Sequence, residues 1–160
     1  MRTIQGDLLA LAQQGEFDVI VHGCNCFNAM DAGIAKSIKH QFPAAYHADL
    51  ATKMGAREKL GTYSSATIDC GGGRMLTIVN AYTQFDWRAA SESTGAAVVN
   101  ADYPAIKAVF TRIATDFAGQ RIGYPLIGAG LAGGDWSVIA PIIDHALQGL
   151  NHTLVRYRFV

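Results

Sequence analysis

The chain has 160 residues, half of them hydrophobic and 16% charged. A domain of that length buries roughly 70% of its unfolded surface, so the composition excludes a disordered or solvating segment. Thirteen basic residues balance thirteen acidic ones, which excludes a global field drawing the protein to nucleic acid or to a membrane. An anionic ligand must then be held by local geometry. No basic block, signal-peptide core or bilayer-length apolar run is present, so no membrane partner is expected. Three cysteines, an odd count, argue against a disulfide framework and for a reducing compartment, with the cytoplasm as the expected location.

In chain order, Met1–Gln5 reads as a short first strand and Asp18–Val21 as a buried second one, with Leu8–Gln13 a turn between them. Ile34, Ile38 and Phe42 fall four apart, which predicts one face of a helix over Ala32–Gln41. Pro43 starts another, running to about Lys53, because proline is tolerated at a first helical position. Gly61–Asp69 and Met75–Thr83 flank Gly71-Gly72-Gly73 and read as a hairpin. The polar stretch Gln84–Gly95 reads as a long irregular segment. Ile106, Val109, Phe110, Ile113, Ala114 and Phe117 form the clearest amphipathic stripe. Arg121–Ile127 is a further strand, Trp136–Leu150 the last helix and Thr153–Val160 the closing strand. The order implies an α/β fold, one mixed sheet between helices.

Two glycine-bearing loops carry the candidate chemistry, each between a strand and a helix. One runs from His22 to Ile34 and includes Cys24-Asn25-Cys26 and Ala32-Gly33; the other is Gly128-Ala129-Gly130-Leu131-Ala132-Gly133-Gly134-Asp135. Small residues let a ligand approach the backbone, and free N–H groups at a helix start bind phosphate, so the pair can grip a diphosphate from both sides. The second loop matches G-x-G-x-x-G. It lies near the C-terminus with a single strand to follow and no acid at the matching distance, so it reads as phosphate-binding and not as a nicotinamide-dinucleotide site.

The segment Val19-Ile20-Val21-His22-Gly23-Cys24-Asn25, with Ala32-Gly33-Ile34-Ala35 and on to Phe42-Pro43, resembles the first ligand loop of macrodomains. Gly6-Asp7-Leu8 is similar to their early Gly-Asp-Ile signature, and Tyr124-Pro125-Leu126-Ile127-Gly128-Ala129-Gly130-Leu131 to their second ligand loop. Within the family the His-x-Cys-Asn-Cys stretch resembles the fungal-type ADP-ribose 1''-phosphate phosphatases; the DarG-type and terminal-glutamate ADP-ribose hydrolase branch is also similar. The resemblance implies a three-layer macrodomain over residues 1–160 and, as ligand, ADP-ribose or ADP-ribose 1''-phosphate, with ADP-ribosylated macromolecules as a further class of partner. It implies that Asp7 accepts from the adenine amino group, Leu8 lies at the adenine edge, and Tyr157 stacks on the base. Asn25 would fix the distal ribose, while Ala32, Gly33 and Ile34 meet the diphosphate from one side and Gly128, Ala129, Gly130, Leu131 and Ala132 from the other. Each has an alternative: Asp7 as the cap of Leu8–Gln13, Tyr157 as a strand residue facing a helix.

Two departures count against the hydrolase branch's lysine mechanism. Gln84 stands where that branch has its lysine, and Ala132 where it has an acid. His22 is then the main candidate for chemistry, because imidazole shuttles protons near neutral pH or accepts a phosphoryl group; its alternative is a hydrogen-bonded core histidine. Asp135 can orient water or a ribose hydroxyl, or cap the helix that begins at Trp136, and Asp31 carries the same ambiguity. His40, His47, His145 and His152 read as surface residues. Cys24 and Cys26, with one further cysteine at 70, lack zinc spacing and read as small buried hydrophobes, so neither metal nor cofactor is implied. Three functions stay open: an ADP-ribose 1''-phosphate phosphatase, a non-catalytic ADP-ribose reader, and an ADP-ribosyl hydrolase that works without lysine.

Overall fold

A computed structural model describes residues 1–88 and 99–157. The elements are β1 (Arg2–Gln5), α1 (Leu8–Gln13), β2 (Val19–Cys24), α2 (Gly33–Gln41), α3 (Pro43–Leu50), β3 (Tyr63–Asp69), β4 (Met75–Tyr82), α4 (Tyr103–Asp116), β5 (Ile122–Tyr124), α5 (Trp136–Ala146) and β6 (His152–Arg156). They form a six-stranded sheet ordered β1-β6-β5-β2-β4-β3, parallel except for the β3–β4 hairpin. No helix among the described residues is long and apolar enough to cross a membrane.

Alternation along the central strands explains why helices cover both faces. Val19, Val21 and Val79 pack with Ile106, Val109, Phe110 and Ile113 of α4 and Ile139 and Ile143 of α5. Ile20, Leu76 and Ile78 point the other way, into Leu8 and Leu9 of α1, Ile38 of α2, and Phe42 and Ala45 at the start of α3. The α4 stripe is thus the expected buried face, and Asp102 caps the helix by accepting from the Ala105 N–H at 2.9 Å.

Several boundaries differ from expectation, each for a local reason. Leu8–Gln13 is a short helix and not only a turn. β5 stops at Tyr124, before the expected Ile127, because Pro125 has no N–H to continue the ladder. α3 stops at Leu50, where the Thr52 hydroxyl donates to the Asp49 carbonyl at 2.6 Å. α5 ends at Ala146, ahead of Gly149 in the left-handed region at φ 82°. The last strand begins at His152, and residues 158–160 of its expected range lie outside the described residues, as do residues 89–95 of the expected irregular segment.

The difference with most consequence is in β2. The strand runs on to Cys24, with His22 paired opposite Asn80, Gly23 opposite Ala81 and Cys24 opposite Tyr82. His22 is therefore a strand residue, and parity turns it inward with Ile20. It is fully buried, and its Nε2–H donates to Asn80 Oδ1 at 2.7 Å. That polarity follows from the amide, whose Nδ2 donates to the Ala45 carbonyl and to Ser64 Oγ. His152, expected at the surface, is also buried, with Nδ1 2.7 Å from the Tyr124 hydroxyl.

Burial lowers the His22 imidazole from its ordinary 6.5 to about 4, so the core holds it neutral. The unfolded chain takes up a proton between those values that the folded chain refuses. The stabilisation is complete above pH 6.5 and is lost as pH falls toward 4, a range worth roughly 3 kcal/mol. His22→Gln keeps an N–H for Asn80 and removes the titration. Urea unfolding of this variant is expected to depend less on pH between 6.5 and 4.5 than that of the wild type; equal slopes would show that His22 does not carry the effect.

Candidate functional site

β2 and β5 are parallel and both run toward the C-terminal edge of the sheet, where ligands of open α/β sheets bind, with β2 reaching further than β5. Past those ends lies a cleft of about 600 Å³, walled on one side by Asn25, Ala29 and Asp31–Ala35 and on the other by Pro125–Gly128 and Gly130–Ala132. Gln84 and Trp87 close its rim. A second cavity of about 450 Å³, lined by Asp7, Leu8, Ser37, Gln41 and Tyr157, shares Gly33, Ile34, Pro125 and Leu126 with the first. The two cavities form one curved trough around the start of α2.

The walls are built to present backbone donors. α2 has no side-chain cap, so among the described residues the N–H groups of Gly33, Ile34 and Ala35 have no acceptor. Opposite them the N–H groups of Gly128, Gly130, Leu131 and Ala132 are likewise unengaged among the described residues. The second loop is folded tightly back on itself, with Gly134 N–H donating to the Gly128 carbonyl at 2.7 Å. A Cβ at Gly134 would meet that oxygen at 2.5 Å, and Gly128 has φ 70°, so the loop needs glycine at both places. Neither cavity is lined by a lysine, arginine or histidine among the described residues. Any positive potential that the described lining offers comes from its N–H groups and the end of a helix.

The structure brings most of the expected binding residues together. Ala32, Gly33, Ile34, Gly128, Gly130, Leu131 and Ala132 all line the first cavity, and Leu131 is 83% exposed at its mouth. Ala129 differs, because it packs against the apolar core beneath the loop. Asp7, Leu8 and Tyr157 line the second cavity, and Tyr157 follows β6 instead of lying within it. Asp7 takes both of the positions open to it: Oδ1 accepts from the Leu9 and Ala10 N–H groups at 3.0 and 3.1 Å and so caps α1, while the residue lines the cavity. Asn25 reaches the cleft, yet its amide mainly braces its own loop, accepting from the Phe27 N–H at 2.9 Å and donating to the Ala29 carbonyl at 2.9 Å.

The residues expected to do chemistry lie elsewhere. His22 lines neither cavity, because it lies within the β2–β4 ladder, short of the strand end at Cys24 that reaches the cleft. Asp135 caps α5, accepting from the Ser137 N–H at 2.9 Å and from its hydroxyl at 2.7 Å, and it too is outside the cleft. Those hydrogen bonds lower its carboxyl below the usual range. Asp31 lines the cleft but does not cap α2; it pairs with Lys39 at 3.2 Å. Cys24, His22 and Asn80 have the composition of a Cys-His-Asn triad without its geometry. The Cys24 sulfur is 3.5 and 3.7 Å from the two ring nitrogens, so it stands nearly midway between them and not along one N–H axis. Burial raises the thiol and lowers the imidazole, the reverse of what an ion pair of nucleophile and base requires. Among the described residues no group of three or more His, Cys, Asp or Glu is placed to hold a metal.

Trp87 and Ala29 are site residues that sequence reasoning missed. Trp87 falls in a stretch without periodicity, and its one signal was a large aromatic beside Gln84.

No protein-family model matches the chain. It is 32% identical over 161 residues to an uncharacterised 17.5 kDa protein of phage T4 from the tk-vs intergenic region, covering 97% of this chain and 95% of that one. A shorter stretch of 47 residues, 29% of this chain and 22% of its counterpart, is 43% identical to an ADP-ribose 1''-phosphate phosphatase of Aspergillus oryzae. Among solved structures, the macrodomain of Mycobacterium tuberculosis DarG superposes with a TM-score of 0.69 at 21% identity, over 99% of this chain and 97% of that one. Thermosipho africanus DarTG in complex with ADP-ribose superposes with a TM-score of 0.72 at 16% identity, over 98% of this chain and 41% of that one. The chain belongs to one family with the phage T4 protein, and its fold is the macrodomain fold.

Proposed function

We propose that the protein binds ADP-ribose, with the diphosphate clasped between the start of α2 and the Gly128–Ala132 loop. One observation carries this reading: two facing rows of unengaged backbone N–H groups in a trough without cationic side chains. Such a site suits a diester-like diphosphate of modest charge, met by directed donors and a helix end. Adenine then lies in the second cavity against Leu8 and Tyr157, within reach of the Asp7 oxygen not used in capping. The distal ribose extends toward Asn25 and Trp87. The DarTG complex with ADP-ribose supports the choice of ligand.

A phosphatase acting on ADP-ribose 1''-phosphate is the second reading, favoured by the 47-residue likeness to the Aspergillus enzyme. Geometry ranks it below binding. A terminal phosphate brings about two further negative charges to a cleft whose described lining offers no cation and whose one carboxylate, Asp31, already faces Lys39. Incubation with ADP-ribose 1''-phosphate separates the two readings: the binding reading expects no release of inorganic phosphate above the uncatalysed rate, and steady turnover would establish the phosphatase.

Calorimetry is expected to give tighter binding for ADP-ribose than for AMP, since AMP leaves the first cavity empty. Gly130 has open space where a Cβ would stand, so Gly130→Glu fills the cleft without disturbing the fold. That variant is expected to lose more than tenfold in affinity, about 1.4 kcal/mol or more, at an unchanged melting temperature. Equal affinity for AMP and ADP-ribose would sink the proposal.

Asp7→Asn isolates the adenine end, because asparagine caps a helix as well as aspartate does. Its amide nitrogen then faces the adenine amino group, donor against donor, and binding is expected to weaken by about 1–3 kcal/mol. Stability should hold. A loss of melting temperature with unaltered affinity would assign Asp7 to capping alone.

A further inference from the structure

We infer that Lys59 is a positioning residue for the ADP-ribose site, a buried ammonium that holds the Cys26–Gly33 wall in its ligand-ready shape without touching ligand. Lys59 ends a single 3₁₀ turn, Arg57–Lys59, and is 7% exposed, an unusual setting for a lysine. Its Nζ donates to Asn28 Oδ1 at 2.7 Å and to the Cys26 carbonyl at 3.2 Å, and it lies 4.7 Å from the Tyr82 ring centre.

Both acceptors belong to the loop that becomes the cleft wall. Asn28 has φ 56°, the one positive φ outside glycine among the described residues, in a left-handed region that asparagine enters more readily than most residues. Surrounding contacts still have to select that conformation over the extended ones. Lys59 supplies one of them, and the Asn28 amide supplies another by donating to the Thr52 carbonyl at 3.1 Å. The Cys26 carbonyl is held twice, by Lys59 and by the Gly55 N–H at 2.7 Å. Past this apex, Ala29 and Asp31–Ala35 line the cleft and lead into the unengaged N–H groups of α2. Asn25 fixes the loop at its strand end and Lys59 fixes it from below.

A methionine would fill the same space, so the ammonium needs a reason to be there. The buried counter-charge is Asp49 of α3, whose Oδ1 accepts from the Tyr82 hydroxyl at 2.7 Å and whose Oδ2 has no partner among the described residues. No direct ion pair joins the two among the described residues. Asp49 offsets the charge at a distance and leaves the lysine's donors to the loop.

The inference rests on the ADP-ribose reading only for its affinity arm. Lys59→Met keeps the length of the side chain and removes its donors. Calorimetry with ADP-ribose is expected to show at least a tenfold loss, and amide hydrogen exchange to accelerate over residues 26–33 while β2 and β4 keep their protection. Asn28→Gly, which tolerates the positive φ and removes the acceptor, guards against a Lys59 variant that fails to fold. It is expected to act in the same direction, and the double variant to bind no worse than the weaker single one. Ile113→Val, in the apolar core on the far face of the sheet, touches neither acceptor and is expected to stay within twofold of wild-type affinity. Unchanged exchange over 26–33 in both loop variants, or an Ile113→Val loss equal to that of Lys59→Met, would overturn the assignment in favour of general packing. If wild-type protein does not bind ADP-ribose, the functional proposal falls by itself and the exchange measurement still decides the role of Lys59.

Discussion

Backbone donors left open at a sheet edge have to be answered by water or by a ligand, and this protein concentrates them where β2 and β5 stop. Pro125 ends one strand because it has no N–H, and Cys24 ends the other before the chain swings into the wall of the cleft. What lies below this edge keeps the donors aimed. Tyr124 and Ile127 anchor the second loop in the apolar core, and Ile38 anchors α2 on the opposite face. Without rigid support, free N–H groups would turn back to nearby carbonyls, as loops ordinarily do. The glycines at 128 and 134 permit one tight turn that satisfies the loop's own needs and leaves its outer rim unengaged.

The two layers beneath the site differ in chemistry. Between the sheet and α4 and α5 the packing is mainly aliphatic and aromatic, with the buried Tyr124–His152 hydrogen bond set into it. Between β2, β4 and α3 a polar line runs from His22 through Asn80 and Ser64 to Tyr82, Asp49 and Thr52. Apolar packing supplies most of the cohesion, since each buried aliphatic side chain contributes on the order of 1.5–3 kcal/mol. The polar line contributes less net energy but is selective, because a shift of register would leave several buried groups unpaired at once. It lies under the loop whose shape matters for the site.

Much of this architecture was legible from local pattern. The α4 stripe, the β3–β4 hairpin and the two glycine loops each rest on residues close in sequence, and each appears in the structure. Where reading failed, the deciding contact was distant. The chemistry of His22 turned on whether β2 ended before or after it, which depends on pairing with β4 some 58 residues away. Lys59 looks like any surface lysine in a charged turn until Cys26 and Asn28 fold over it. Asp7 offered two roles of which the structure shows one outright, with Oδ1 on the α1 amides, and leaves room for the other. Ala132 and Gln84, read as departures from a lysine-and-acid mechanism, both line the cleft, so at those places the described surface carries neither amine nor carboxylate.

Gly33, Ile34, Pro125 and Leu126 border both cavities, so the two halves of the trough are not independent sites. A molecule seated in one half has its remaining length delivered to the threshold of the other. The second encounter is then intramolecular, at an effective concentration in the millimolar range for a short tether. On the proposed reading, holds on a base and on a diphosphate multiply when one covalent chain joins them. The shared border would then make the trough a gauge of connectivity, selecting a ligand of the right span over the same pieces mixed separately.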